Sequence, residues 1–110
     1  MQTNTLLIVD DDHRTRHALT RTLRSDNRTI IDAENGVDAL AKLNGAKVDL
    51  VLSDMRMPEM SGAEFLSLAK EKSPLTERIL LTGYSDMEST IQAINDGGIF
   101  GYLSKPWNAP

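Results

Sequence analysis

The sequence predicts an α/β fold, a doubly wound parallel sheet of five strands with helices on both faces. Two observations lead there. Five short runs rich in branched aliphatic residues punctuate the chain, and stretches with helical apolar spacing lie between them. The aliphatic runs are almost continuously apolar, which is the pattern of strands buried on both faces. Strands that alternate with helices pair in parallel through right-handed crossovers.

Leu6 to Val9 reads as the first strand, and beyond an acidic run the first helix carries Ala18, Leu19, Thr22 and Leu23 on one face. Thr29 to Ile31 is the second strand. Asn35 can cap the second helix, whose apolar positions are Val37, Leu40 and Ala41. Val48 to Leu52 follows as the third strand, and Ser61 with Glu64 has the spacing of a capping box ahead of Phe65, Leu66, Leu68 and Ala69. Ile79 to Leu81 is the fourth strand. Ser85 and Glu88 form a second capping box for a helix bearing Met87, Ile91 and Ile94, which Gly97 and Gly98 end. Ile99 to Leu103 closes the series as the fifth strand. No repeat, low-complexity tract or linker interrupts the pattern, so residues 1–110 read as one domain.

Composition narrows the function classes. With 110 residues, 40% of them hydrophobic and 25% charged, a single core is expected. A net charge of -4 opposes a long phosphate-backbone footprint, so no direct nucleic-acid partner is expected. Without cysteine there are no disulfides and no thiolate ligands, and any metal must use oxygen or imidazole. No apolar run is long enough to cross a bilayer and no signal peptide opens the chain. A soluble, cytoplasmic protein with no membrane partner is the expectation.

In open α/β sheets, ligands gather outside the carboxyl ends of the strands. Asp10, Asp11 and Asp12 follow Val9; Asp54 follows Ser53; Thr82 and Gly83 follow Leu81; Ser104, Lys105 and Pro106 follow Leu103. Each piece has an ordinary structural explanation. Acidic runs cap helices, an Asp ahead of Pro58 and Gly62 fits a turn, a Thr ends a strand, and a Lys sits on a surface. The convergence of all four on one rim is what those explanations leave unexplained. Several carboxylates at one place repel one another unless a cation compensates, and an all-oxygen set favours magnesium or manganese. A carboxylate there can attack phosphorus to form an aspartyl phosphate, while metal, amine and hydroxyl neutralise the transferred group.

Val9-Asp10-Asp11, Asp54-Met55-Arg56-Met57-Pro58, Leu81-Thr82-Gly83 and Ser104-Lys105-Pro106 together resemble the motifs of the receiver domains of two-component response regulators, in matching order over almost the whole chain. The resemblance implies a flavodoxin-like strand order, 2-1-3-4-5. It implies Asp54 as phosphoacceptor, Asp11 as a direct metal ligand, Asp10 as a largely water-mediated one, and the Arg56 carbonyl as a third contact. Thr82 and Lys105 would bind phosphoryl oxygens, Tyr102 would be the switch aromatic, and Lys105-Pro106 would be cis. The implied partner is a sensor histidine kinase or phosphotransfer protein that meets the basic first-helix region of Arg14, Arg16, Arg21, Arg24 and Arg28. The family's fifth helix has no counterpart after Lys105-Pro106, where only Trp107 to Pro110 follow, and the output module is likewise not in this chain. Apolar side chains of strands three to five should then be exposed, and self-association through the strand-five side is expected.

Two other chemistries fit less well. A phosphohydrolase of related design would place a second Asp two residues after the nucleophile, where this chain has Arg56. His13 and His17 have the spacing of a helical zinc pair, yet no Glu stands beside His13 and no third ligand is evident, so an exposed helix face is the better reading. A domain with a degenerate site is disfavoured because the set of site residues is complete.

Overall fold

A computed structural model describes residues 4–82 and 101–104, the latter and residue 82 by their backbone. The elements in chain order are β1 (Asn4–Val9), α1 (His13–Leu23), β2 (Arg28–Ala33), α2 (Gly36–Gly45), β3 (Leu50–Asp54), α3 (Gly62–Lys72), β4 (Glu77–Thr82) and β5 (Gly101–Ser104). They form one five-stranded sheet in the order β2-β1-β3-β4-β5, with every adjacent pair parallel. The predicted helix of Met87, Ile91 and Ile94, with its capping box, lies outside the described residues.

Side chains alternate across each strand, and the alternation divides the core in two. Leu7, Val9, Val51 and Leu80 face α2 and α3, where they pack with Ala39, Leu43, Phe65, Leu66 and Ala69. Leu6, Ile8, Leu52 and Leu81 face the other way, onto Leu19 of α1. Each of the large aliphatic side chains contributes about 1.5–3 kcal/mol on full burial. That two-sided demand is why the strand segments read as unbroken apolar runs. On the α1 face, Leu50 and Ile79 are only partly buried; with Leu6, Leu23 and Leu52 they line an open apolar groove among the described residues. No helix among the described residues is long and apolar enough to cross a membrane.

Three details depart from the apolar spacing. Val37 is 57% exposed and Leu68 38% exposed, while Ala41 is also outward. The inward stripe of α2 is Gly36, Ala39 and Leu43 with the partly buried Leu40, and a Cβ on Gly36 would stand 2.6 Å from the Met60 sulfur. A glycine in contact with the core carries no hydropathy signal. β3 begins at Leu50 rather than Val48, whose carbonyl accepts the Thr76 hydroxyl at 2.6 Å.

Register sets the strand ends level. Val9 lies opposite both Ala33 and Ser53, Asp54 opposite Leu81, and Thr82 opposite Ser104. The residues that follow or end β1, β3, β4 and β5 therefore share one edge of the sheet.

Candidate functional site

The acidic run after β1 divides its work. Asp10 is 1% exposed; its N–H donates to Ala33 O at 3.1 Å, which carries the ladder one residue past β1. Its Oδ1 accepts the Asp12 N–H at 2.9 Å, closing a short turn. Asp12 is the N-cap of α1: Oδ1 accepts the Arg14 N–H at 3.1 Å and Oδ2 the Thr15 hydroxyl at 2.9 Å. The capping explanation thus holds for Asp12, whereas Asp10 and the exposed Asp11 belong to the rim.

Asp54 ends the central strand β3 and is 9% exposed. Its carbonyl accepts the buried Ser53 hydroxyl at 3.0 Å, and the next N–H, of Met55, donates to Leu81 O at 3.1 Å. The loop that leaves it is tightly built. Glu59 adopts a left-handed φ of 70°, Met60 N–H donates to Pro58 O, and Gly62 N–H donates to Met55 O at 2.8 Å. A Cβ on Gly62 would stand 2.1 Å from the Asp54 carbonyl oxygen and 2.9 Å from Met55 Cα, so only glycine lets α3 start this close to the strand end. Ser61 then caps α3, its Oγ accepting the Glu64 N–H at 3.1 Å as the capping box predicts.

The outcome is a cluster in which Asp10, Asp11 and Asp54 each offer a carboxylate oxygen, all within 4.8 Å of one another. In an octahedron with metal–oxygen distances near 2.1 Å, ligand oxygens stand about 3 Å apart in neighbouring positions and about 4.2 Å apart across the metal, so these carboxylates would draw together around one ion. The donors are hard anionic oxygens and suit a hard divalent cation. Among the described residues, His13 and His17 join no such group; both are exposed, with ring centroids 6.1 Å apart.

Of the other predicted site residues, Arg56 lies exposed in the β3–α3 loop and Thr82 ends β4 opposite Ser104. The backbone of Tyr102 pairs with Leu80 in β5. Lys105 follows β5 directly in sequence but lies outside the described residues, as do the Lys105-Pro106 peptide and Trp107. One polar side chain near the rim carries no motif. Arg16 reads in sequence as part of a basic helix face, yet its side chain is 13% exposed and its Nη1 donates to Asp10 O at 2.7 Å. Its spacing, one helical turn beyond the Asp12 cap, is the single sequence cue that it turns back toward β1. The buried arginine Arg78 serves elsewhere: burial pushes its guanidinium below the ordinary value, and Nη1 donates to Thr76 O at 2.9 Å near the opposite end of the sheet.

Residues 6–110 match the family model described as response regulator receiver domain. The chain is 41% identical over 103 residues to the hydrogenase transcriptional regulatory protein HoxA of Bradyrhizobium diazoefficiens, covering 94% of this chain and 21% of that protein. It is 37% identical over 108 residues to the DNA-binding transcriptional regulator NtrC of Salmonella typhimurium, covering 98% of this chain and 23% of that one. The chain thus spans under a quarter of the length of these relatives. Among solved structures, the signal receiver domain of an HD domain-containing protein from Pseudomonas fluorescens Pf-5 has a TM-score of 0.92 at 36% identity, over 99% of this chain and 80% of that one. A parallel sheet of this order with an acid cluster at its carboxyl edge, matched over nearly all its length by such relatives, places this chain in the response regulator receiver domain family.

Proposed function

We propose that Asp54 is the phosphoacceptor of this receiver domain and that the chain serves as the 1–110 regulatory module of a larger two-component response regulator. The observation that carries the reading is the place of Asp54: it ends the central strand, it is nearly buried, and its carboxylate lies within 4.8 Å of oxygens from Asp10 and Asp11. A carboxylate oxygen of Asp54 attacks the phosphorus of a phosphohistidine on a sensor kinase or phosphotransfer protein. A P–O bond forms, the P–N bond breaks, and the imidazole leaves with the electron pair and takes up a proton. Asp11, Asp54 and the Arg56 carbonyl would hold a magnesium or manganese ion, with Asp10 acting largely through water, and that ion supplies neutralising charge to the phosphoryl oxygens.

Thr82 and Lys105 take the remaining phosphoryl oxygens, and Tyr102 follows Thr82 inward, so that β4 and β5 convert a local charge into a change of surface. The chain acts on its own aspartyl phosphate, by transfer and by autodephosphorylation, and turns over no external substrate. The exposed arginines of α1 meet the cytoplasmic donor, and the strand-five side is the surface for self-association or for the output module.

The test is incubation with magnesium and acetyl phosphate, or with a phosphorylated donor, followed by intact mass. One base-labile phosphoryl group is expected on the wild type and none on Asp54→Asn. Undiminished labelling of Asp54→Asn overturns the assignment.

A further inference from the structure

Arg16 uses all three of its guanidinium nitrogens. Nη1 donates to the Asp10 carbonyl at 2.7 Å, Nε donates to Asp32 Oδ2 on β2 at 3.2 Å, and Nη2 lies 3.4 Å from His13 Nδ1. Its own backbone is fixed as well, since its N–H donates to Asp12 O at 3.1 Å and its carbonyl accepts the Thr20 hydroxyl at 2.8 Å. A planar fork anchored at both ends has little freedom left. The carbonyl it grips belongs to the peptide plane that joins Asp10 to Asp11, and a peptide plane turns as one unit. Holding that plane therefore fixes the Asp11 Cα from which its side chain leaves the backbone, while the Asp12 N–H holds the Asp10 carboxylate.

We propose that Arg16 is a positioning residue for the acid cluster: it clamps the Asp10-Asp11 peptide between α1 and β2 so that both carboxylates stay within reach of Asp54. The inference rests on the reading of Asp10, Asp11 and Asp54 as a divalent-cation site. Charge and geometry act in opposite directions here, which makes the idea testable. A guanidinium near the cluster repels a cation, so its removal would tighten binding if charge were its whole effect. Loss of the clamp would weaken binding, because residues that orient metal ligands typically contribute about 10–100-fold in affinity. Arg16→Lys keeps the charge but has a single nitrogen, which cannot reach Asp10 and Asp32 together.

The experiment titrates manganese into the wild type, Arg16→Met, Arg16→Lys and Asp11→Ala, well below each melting midpoint, and reads free ion by electron paramagnetic resonance. Arg16→Met should bind roughly tenfold more weakly. Arg16→Lys should fall between it and the wild type, and it decides the matter should Arg16→Met not fold, since its charge is unchanged. Unchanged or tighter binding in Arg16→Met, or wild-type affinity in Arg16→Lys, overturns the positioning role while leaving the site intact. A wild type that binds no manganese, or an Asp11→Ala variant that binds as well as the wild type, overturns the cation site and the inference with it.

Discussion

Asp10 and Asp11 are neighbours in sequence with different surroundings, and their substitutions should separate accordingly. Asp10 is buried and one of its oxygens accepts the Asp12 N–H, so Asp10→Ala removes a turn contact and lowers stability by about 1 kcal/mol. Asp11 is exposed and gives its oxygen to the cluster. Magnesium affinity, measured by calorimetry, should therefore drop further in Asp11→Ala than in Asp10→Ala, and the melting midpoint should show the reverse order. Equal affinity losses would contradict the division of labour. The acids themselves were legible in the sequence because strand ends alone predict where they fall. Arg16 was not, since the direction a long cationic side chain takes is decided by a carbonyl and a carboxylate that only the folded chain brings near it.

At the level of elements, local chemistry was the most readable part. Asn35 accepts the Asp38 N–H at 2.7 Å and Ser61 the Glu64 N–H at 3.1 Å, both as the sequence predicts, and replacing either with Ala should cost about 1 kcal/mol in urea denaturation. Faces were less readable, as Val37 and Leu68 show, because three or four apolar residues in a short helix fit two stripes equally well. The glycines Gly36 and Gly62 decide how α2 and α3 approach the rim, and they predict unequal penalties. A Cβ on Gly36 meets the far end of a flexible methionine, Met60, whereas a Cβ on Gly62 meets the backbone of Asp54 and Met55. Gly62→Ala should cost about 1–3 kcal/mol by forcing a backbone shift. It should also slow phosphoryl acceptance at Asp54 beyond what Gly36→Ala does. Equal rates in the two variants would show that the α3 start can give way without moving the phosphoacceptor.

For the whole molecule, the charge of the site and the stability of the fold are linked. Three carboxylates within 4.8 Å, two of them buried, repel one another more strongly in the folded state than in the unfolded chain, where Asp54 moves away from Asp10 and Asp11, so a cation that joins the cluster favours the folded state. Binding to the folded form alone stabilises it by about 1.4 kcal/mol when the free ion is at ten times its dissociation constant. For a domain of this size that amounts to roughly 5 °C in melting midpoint. Two consequences follow for Asp11→Asn, which removes one charge and keeps the shape of the side chain. In chelator it should melt above the wild type, because one of the three repelling charges is gone. In magnesium the order should reverse or close, because the variant gains little from the ion. Thermal melts of both proteins, with and without magnesium, provide the check. A variant that melts below the wild type in chelator and shifts equally in magnesium would mean that the acids neither strain the fold nor share an ion.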